Sequence, residues 1–175
     1  MSLNIGIFID RATQLHNNKY GYFKVKYKNS KTTYKNNYTK LCIICNIHGE
    51  YFQTSKGHLN NKNGCPICKL PYGEREILKY LNFNKIKFTH NKKFEECYYK
   101  NKLPFDFYLP DYNICIEFDG IQHFEPVKYF GGEKTFEKQI IKDSIKTNFC
   151  FNNKINLLRI KYNDNIINIL KDNIK

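Results

Sequence analysis

Cys45, His48, Cys65 and Cys68 fall as CxxH and CPxC within LCIICNIHGEYFQTSKGHLNNKNGCPICK. Tetrahedral zinc takes thiolate and imidazole donors in close-spaced pairs, because each pair fixes two ligands on one tight turn and the metal closes the loop between them. Gly49 and Gly64, beside the two pairs, give the backbone the freedom such turns require. Four protein donors leave no open coordination position, so the predicted Zn²⁺ is structural. Cys42 also makes CxxC with Cys45, and His58 competes with His48. Cys42 shares a strand face with Ile44 and reads as a core thiol, while His58 lacks a partner at knuckle spacing. A segment this polar could hardly fold without such a staple.

A second chemistry is written in LPFDFYLPDYNICIEFDG. Two β-rich runs flank Pro110, Asp111, Tyr112 and Asn113, a strong turn signal. With Asp111 and Tyr112 as the loop, hairpin pairing sets Asp106 directly opposite Glu117. Opposed residues of an antiparallel pair have Cβ atoms about 4.5–5.5 Å apart, and like charges there repel. A cation between them resolves the repulsion. Asp119, two residues on, falls on the same face, so three carboxylates are expected within reach of one hard cation. Phe105, Phe107, Ile114, Ile116 and Phe118 are expected on the other face. Mg²⁺ held by Asp106 and Glu117, with Mn²⁺ as a substitute, would activate water against a phosphodiester. The bland alternative is the solvated face of an ordinary hairpin, and a one-residue slip would separate the two acids.

Further titratable groups cluster nearby. Gln122 and His123 follow IEFDG at once, and His123 suits a general acid or base, or a core histidine. Glu74 starts a helix in GERE, where a carboxylate also suits the helix N-terminus. Asp143 lies in KDSIK, where a solvated pair with Lys142 or Lys146 is the plain alternative.

The elements that must position these groups divide near KLPYG, at Lys69 to Gly73. Before it, Phe8, Ile9, Ala12 and Leu15 predict a short helix and YGYFKVKY a strand, while residues 28–40 read as an exposed polar loop. After it, GEREILKYLNF predicts a helix burying Ile77, Leu78 and Leu81. Strands follow at IKFTH, KKFEEC, LPFDFYL and NICIEFDG, then a helix from Glu133 to Phe149, a strand at INLLRIKY and a helix over IINILKDN. The expected fold class is α+β, with a small metal-stapled module over residues 1–69 and an α/β sandwich around a mixed central sheet over 73–175.

The chain of 175 residues has a net charge of +13, with only Arg11, Arg75 and Arg159 as arginines. A basic excess of this size favours a nucleic-acid partner, and lysine-rich phosphate tracking over arginine readout of bases. The abundance of Lys, Asn and Ile together is also what an AT-rich coding sequence would produce. No apolar run reaches the length of a spanning helix and the start MSLNIGIFIDRATQLH lacks signal-peptide order, so a soluble, intracellular protein is expected, with no membrane partner. Seven cysteines in a reducing compartment read as metal ligands plus buried thiols.

An Asp on a hairpin strand, then IExDGxQH, DxIK and LLRI, resembles nucleases of the restriction-endonuclease-like PD-(D/E)XK superfamily. The nearest branch is that of very short patch repair endonucleases and related homing enzymes, over about residues 73–172. Upstream, FIDRATQLHNNKYGYFKVKY, IICNIHGEYFQTS and GCPIC resemble a zinc-ribbon-like module fused to such nucleases. The resemblance implies a metal-dependent endonuclease acting on double-stranded DNA, site-specific and of a homing kind, with dimerisation as one route to a long target. Glu74 would fill the helix carboxylate position, Asp106 the strand aspartate, Glu117 the second metal-binding acid, and His123 and Asp143 the later polar positions. Where the superfamily has lysine, this chain has Asp119, which leaves His123, Gln122 or Lys142 to handle the attacking water. A mismatch- or lesion-directed nickase and a non-catalytic zinc-dependent DNA-binding regulator are the alternative functions.

Overall fold

The structure, a computed structural model, describes residues 5–25, 36–60 and 62–174. It combines helices with a small antiparallel sheet and a mixed sheet, in two compact units that divide between Leu70 and Pro71. Among the described residues no helix is long and apolar enough to cross a membrane.

The first unit opens with helix α1 (Ile5–Leu15), whose Ile5, Phe8 and Ala12 recur at helical spacing and are buried. Strands β1 (Tyr20–Gly21), β2 (Lys40–Cys45) and β3 (Gly49–Thr54) pair antiparallel in that order. The strand expected over YGYFKVKY is only Tyr20 and Gly21; Val25 N–H then bonds Tyr22 O at 2.9 Å, and the turn delivers both side chains to the core. Residues 26–35, covering the end of that strand and most of the expected polar loop, lie outside the described residues. The rest of the loop is a turn closed by Thr39 N–H to Asn36 O at 3.0 Å. Two short helices follow, α2 (Ser55–Leu59), capped by Thr54 Oγ, and α3 (Pro66–Lys69), with proline in its first turn.

The second unit begins with α4 (Tyr72–Phe83), which buries Ile77, Leu78 and Leu81. Gly73, expected in a linker, is helical and buried: a Cβ there would sit 2.1 Å from the Phe118 ring. Only glycine lets the helix start approach that ring so closely. The strands expected at IKFTH and KKFEEC are one strand, β4 (Thr89–Tyr98), with an irregularity in its pairing between Lys93 and Tyr98. Ile86 instead closes the end of α4, its N–H bonding Leu81 O at 2.9 Å beside Lys85 at φ 54°.

Strands β4, β5 (Lys102–Leu109) and β6 (Ile114–Asp119) are antiparallel, and β7 (Asn156–Lys161) joins β6 in parallel. That parallel pair needs a long crossover, supplied by α5 (Gly132–Asn152). Helix α6 (Ile166–Asn173) closes the unit and packs against α4. Every residue of β6 except Phe118 is buried. Glu117 and Asp119 therefore sit in a central strand covered on both faces, where a carboxylate needs partners.

Candidate functional site

The donor atoms of Cys45, His48, Cys65 and Cys68 lie within 4.8 Å of one another, a set that could hold a metal ion such as zinc. Cys45 and Cys68 sulfurs are 3.7 Å apart, and His48 Nδ1 lies 3.7, 3.6 and 3.3 Å from Cys45, Cys65 and Cys68. A tetrahedron with Zn–S of about 2.3 Å and Zn–N of about 2.0–2.1 Å has edges of roughly 3.8 and 3.5 Å. These four edges match those of a zinc tetrahedron. Burial raises the Cys45 thiol, but the backbone N–H groups of Ile47 and His48 together with the Cys68 and Cys65 thiols bring it below the ordinary value, while burial and the Cys45 contact push Cys68 up to about 11. The turn at Cys45 is what a thiolate ligand needs.

The two rival donors are employed elsewhere. Cys42 bonds Glu50 at 3.5 Å. His58 is fully buried with both ring nitrogens used, Nδ1 on Asn63 O at 2.8 Å and Nε2 on Tyr22 OH at 3.0 Å. Burial depresses its pKa to about 4, so it stays neutral. Tyr20, in ring contact with His58, accepts the Cys65 N–H at 3.1 Å, which ties this aromatic cluster to the second ligand pair.

In the second unit, the β5–β6 ladder pairs Phe107 with Ile116, Tyr108 with Cys115 and Leu109 with Ile114. It stops one step before Asp106 and Glu117. Beyond that point the side chains replace the ladder: Glu117 Oε1 accepts the Asp106 N–H at 3.3 Å, and Asp106 Oδ2 accepts the Phe118 N–H at 2.8 Å. Each carboxylate thus bonds the opposite strand where the strands part. The side alternation of the ladder does not carry past it. Phe105, expected away from the acids, packs on Phe149 of α5 and has the Lys146 ammonium 5.3 Å from its ring.

Lys146 Nζ donates to Glu117 Oε2 at 2.6 Å, both groups being buried. Even so, burial first and then the Asp106 charge push the Glu117 pKa up to about 7. Burial likewise raises Asp106, against the Phe118 N–H bond. Glu74 is raised by burial and by Asp106, and is bonded by His90 Nε2 at 3.3 Å. The Asn91 amide lies 3.1 Å from His90 Nδ1, which leaves the ring proton on Nε2 to donate to Glu74. Glu74, Asp106, Glu117, Gln122, His123 and Lys146 line one cavity of about 380 Å³.

Asp119 does not join Asp106 and Glu117 as a third ligand. Arg159 on β7 takes both its oxygens, Nε at 2.7 Å and Nη2 at 2.8 Å, and also reaches Asp143 at 2.9 Å. His123, on a single 3-10 turn after β6, places Nδ1 2.9 Å from Asp143 and 3.4 Å from Asp119. Burial would raise Asp143, but His123 and Arg159 bring it below the ordinary carboxylate range. Gln139 adds a bond to Asp143 at 3.1 Å. With two carboxylates on Nδ1, the ring proton belongs there and Nε2 is the nitrogen left for other work.

Five carboxylates therefore meet only two permanent cations, Lys146 and Arg159, and the surplus is negative. Lys146, Arg159 and His90 were not among the sequence candidates. Lys146 had a visible signal in DSIK, where Asp143 and Lys146 sit at i, i+3 on one helical face. Lys142, the sequence candidate, is one turn away. Arg159 lay in LLRI, in register with Glu117, but that pairing is not readable from sequence. Half-buried and held by Asp119 and Asp143, it is engaged away from the reading of bases.

Residues 1–69 match the family described as a protein of unknown function, DUF723. No curated protein and no solved structure gives a match. The family match ends within the first unit, and the acid cluster lies wholly in the second.

Proposed function

We propose that the chain is a metal-dependent endonuclease that hydrolyses DNA phosphodiesters, with a restriction-endonuclease-like second unit and a zinc-ribbon-like first unit. Asp106 and Glu117 are its cation ligands. The observation that carries the reading is their meeting where β5 and β6 part, with Lys146 on Glu117 and a cavity in front of them. A purely structural role gives no reason to bury Glu117 against a half-buried, facing Asp106 with Lys146 as the cation bonded to the pair among the described residues.

A Mg²⁺ held there would polarise the phosphate and lower the pKa of an attacking water. Lys146 takes the place of the strand lysine that Asp119 displaces: its ammonium draws Glu117 toward the carboxylate form, against burial and Asp106, and leaves two N–H donors for the developing phosphate charge. His123, held by Asp143 on Nδ1, has the lone pair of Nε2 available to take the proton that the attacking water gives up. Arg159 positions Asp119 and Asp143 rather than touching substrate. Glu74 completes the cation's surroundings, oriented by His90. Zn²⁺ on the four-ligand cluster is structural.

Conversion of supercoiled plasmid is the test. Nicked or linear product is expected with Mg²⁺ and none with EDTA, and Asp106→Ala should abolish it. Undiminished cleavage by that variant would end the assignment. Retention of every acid weighs against a non-catalytic regulator, and matched against mismatched duplexes would separate a homing enzyme from a repair nickase.

A further inference from the structure

The positive charge of the chain is unevenly placed. Residues 1–70 carry eleven Lys and Arg against two acids, Asp10 and Glu50; residues 71–175 carry eighteen against fourteen. Glu50 is ion-paired with Lys24, and Asp10 is exposed on α1. Most of the basic excess thus belongs to the unit without the acid cluster.

Within that unit, α1 and α2 pack together and leave a furrow along their seam. It consists of two hollows of about 290 and 390 Å³ that share Arg11 and Leu59. Arg11 and Gln14 line it from α1, Lys56 and Asn60 from the other side, and Asn37 at one end. No acid is among the described residues that line it. Arg11 is exposed and has no ion pair among the described residues, in contrast to Arg159. Lys56 is held in place: its ammonium donates to Tyr38 OH at 3.2 Å and lies 5.0 Å from that exposed ring, which leaves further N–H donors free of the tyrosine. Its backbone N–H and Ser55 Oγ both bond Asn37 O, fixing the furrow end.

We propose that this furrow is a phosphodiester-binding site that seats the sugar–phosphate backbone of duplex DNA, with Arg11 gripping a phosphate through its fork and Lys56 a neighbouring one. Guanidinium geometry suits bidentate phosphate contact, and a pre-placed ammonium loses little freedom on binding. Leu15 and Leu59 form part of its floor, while the groups it offers for hydrogen bonding are a guanidinium, an ammonium and amides, a set suited to phosphate oxygens of the backbone. The inference rests on DNA being the polyanion, but not on the acids of the second unit being catalytic.

The test is titration of a labelled random-sequence duplex of 30 base pairs with the zinc-loaded full chain, across a range of salt concentrations. Replacing Arg11 and Lys56 by Ala should weaken binding about tenfold or more at 0.1 M salt and flatten the log–log salt slope by roughly 1.8, the value for two phosphates. The charge-matched control Lys19→Ala with Lys24→Ala should change both far less. Equal losses in the two pairs, or no duplex binding by the unaltered chain, would overturn the site. Asp106→Ala, run alongside, should bind with an unchanged slope while failing to cleave. Cleavage surviving in Asp106→Ala would sink the nuclease reading and leave the furrow standing.

Discussion

The first unit buries a neutral histidine and gathers three thiols and an imidazole in an arrangement suited to metal, whereas the second buries carboxylates and answers them with a lysine and an arginine. Consequences for folding differ accordingly. A metal on the first unit's thiols and imidazole would couple its binding to folding. In the second, Lys146 and Arg159 already neutralise part of the charge, and the site can stand formed before a cation arrives. On the proposed reading, a metal in the first unit would build a fold and a metal in the second would serve a reaction, and the two sets of protein partners differ accordingly.

The largest effect that would break this contrast is metal removal. Cys65→Ser, or a strong zinc chelator, should unfold the first unit, since zinc sites of this type contribute on the order of 10 kcal/mol. The second unit's melting should be unchanged, as followed by amide exchange in each unit. Loss of both together would show that the contrast is false.

Next in size is Lys146→Ala. It leaves Glu117 buried without its cation, which costs about 3–5 kcal/mol. The second unit should lose stability at pH 8 and recover part of it with Mg²⁺, read by denaturant titration. Lys146→Arg should retain more stability than the alanine variant.

Acidification sharpens the comparison because the two units should respond with opposite sign. His58 has a folded pKa of about 4 against an ordinary 6.5. Its contribution is present above pH 6.5 and is lost as pH falls through about 4, a change of roughly 3 kcal/mol. Glu117 is raised from 4.5 to about 7. Its contribution is present below pH 4.5 and is lost as pH rises through about 7 when no metal is bound. Glu74 and Asp106 go the same way as Glu117, and Asp143 goes against them. Unit-resolved exchange between pH 4 and 8 should therefore show the first unit strengthening while the metal-free second unit weakens. Cleavage, which needs Glu117 as a carboxylate, should fall with acid at a pH that moves downward as the Mg²⁺ concentration is raised, because cation and proton compete for Glu117.

Smallest is Arg159→Lys, which replaces a fork that holds Asp119 and Asp143 by a single ammonium. Cleavage should fall about 10–100-fold, as is usual for groups that orient the residues at a site, with Mg²⁺ affinity nearly unchanged. An unchanged rate would remove Arg159 from the account.

Much of this was legible in the chain before folding. CxxH and CPxC marked the thiol–imidazole set because its ligands are local pairs, and the PDYN turn set the Asp106–Glu117 register because a hairpin is local too. The periodicity of ILKYLNF and IINILKDN located two helices for the same reason. What escaped depends on distant chain segments meeting. Lys146 reaches Glu117 from a crossover helix, and Arg159 reaches Asp119 through a parallel pairing that no turn announces. Strand alternation misplaced Asp119 as a ligand because face is not the same as partner. Gly73 looked like a linker until the Phe118 ring beside it gave it a reason to be glycine.

The central claim is that Asp106 and Glu117 together hold a divalent cation. Titration of the zinc-loaded chain with Mn²⁺ at pH 8, following free Mn²⁺ by electron paramagnetic resonance, measures that directly. Saturable Mn²⁺ binding that is lost in both Asp106→Ala and Glu117→Gln, with the zinc content intact, is the predicted result; binding that survives unchanged in both variants, or is missing from the unaltered chain, would contradict it.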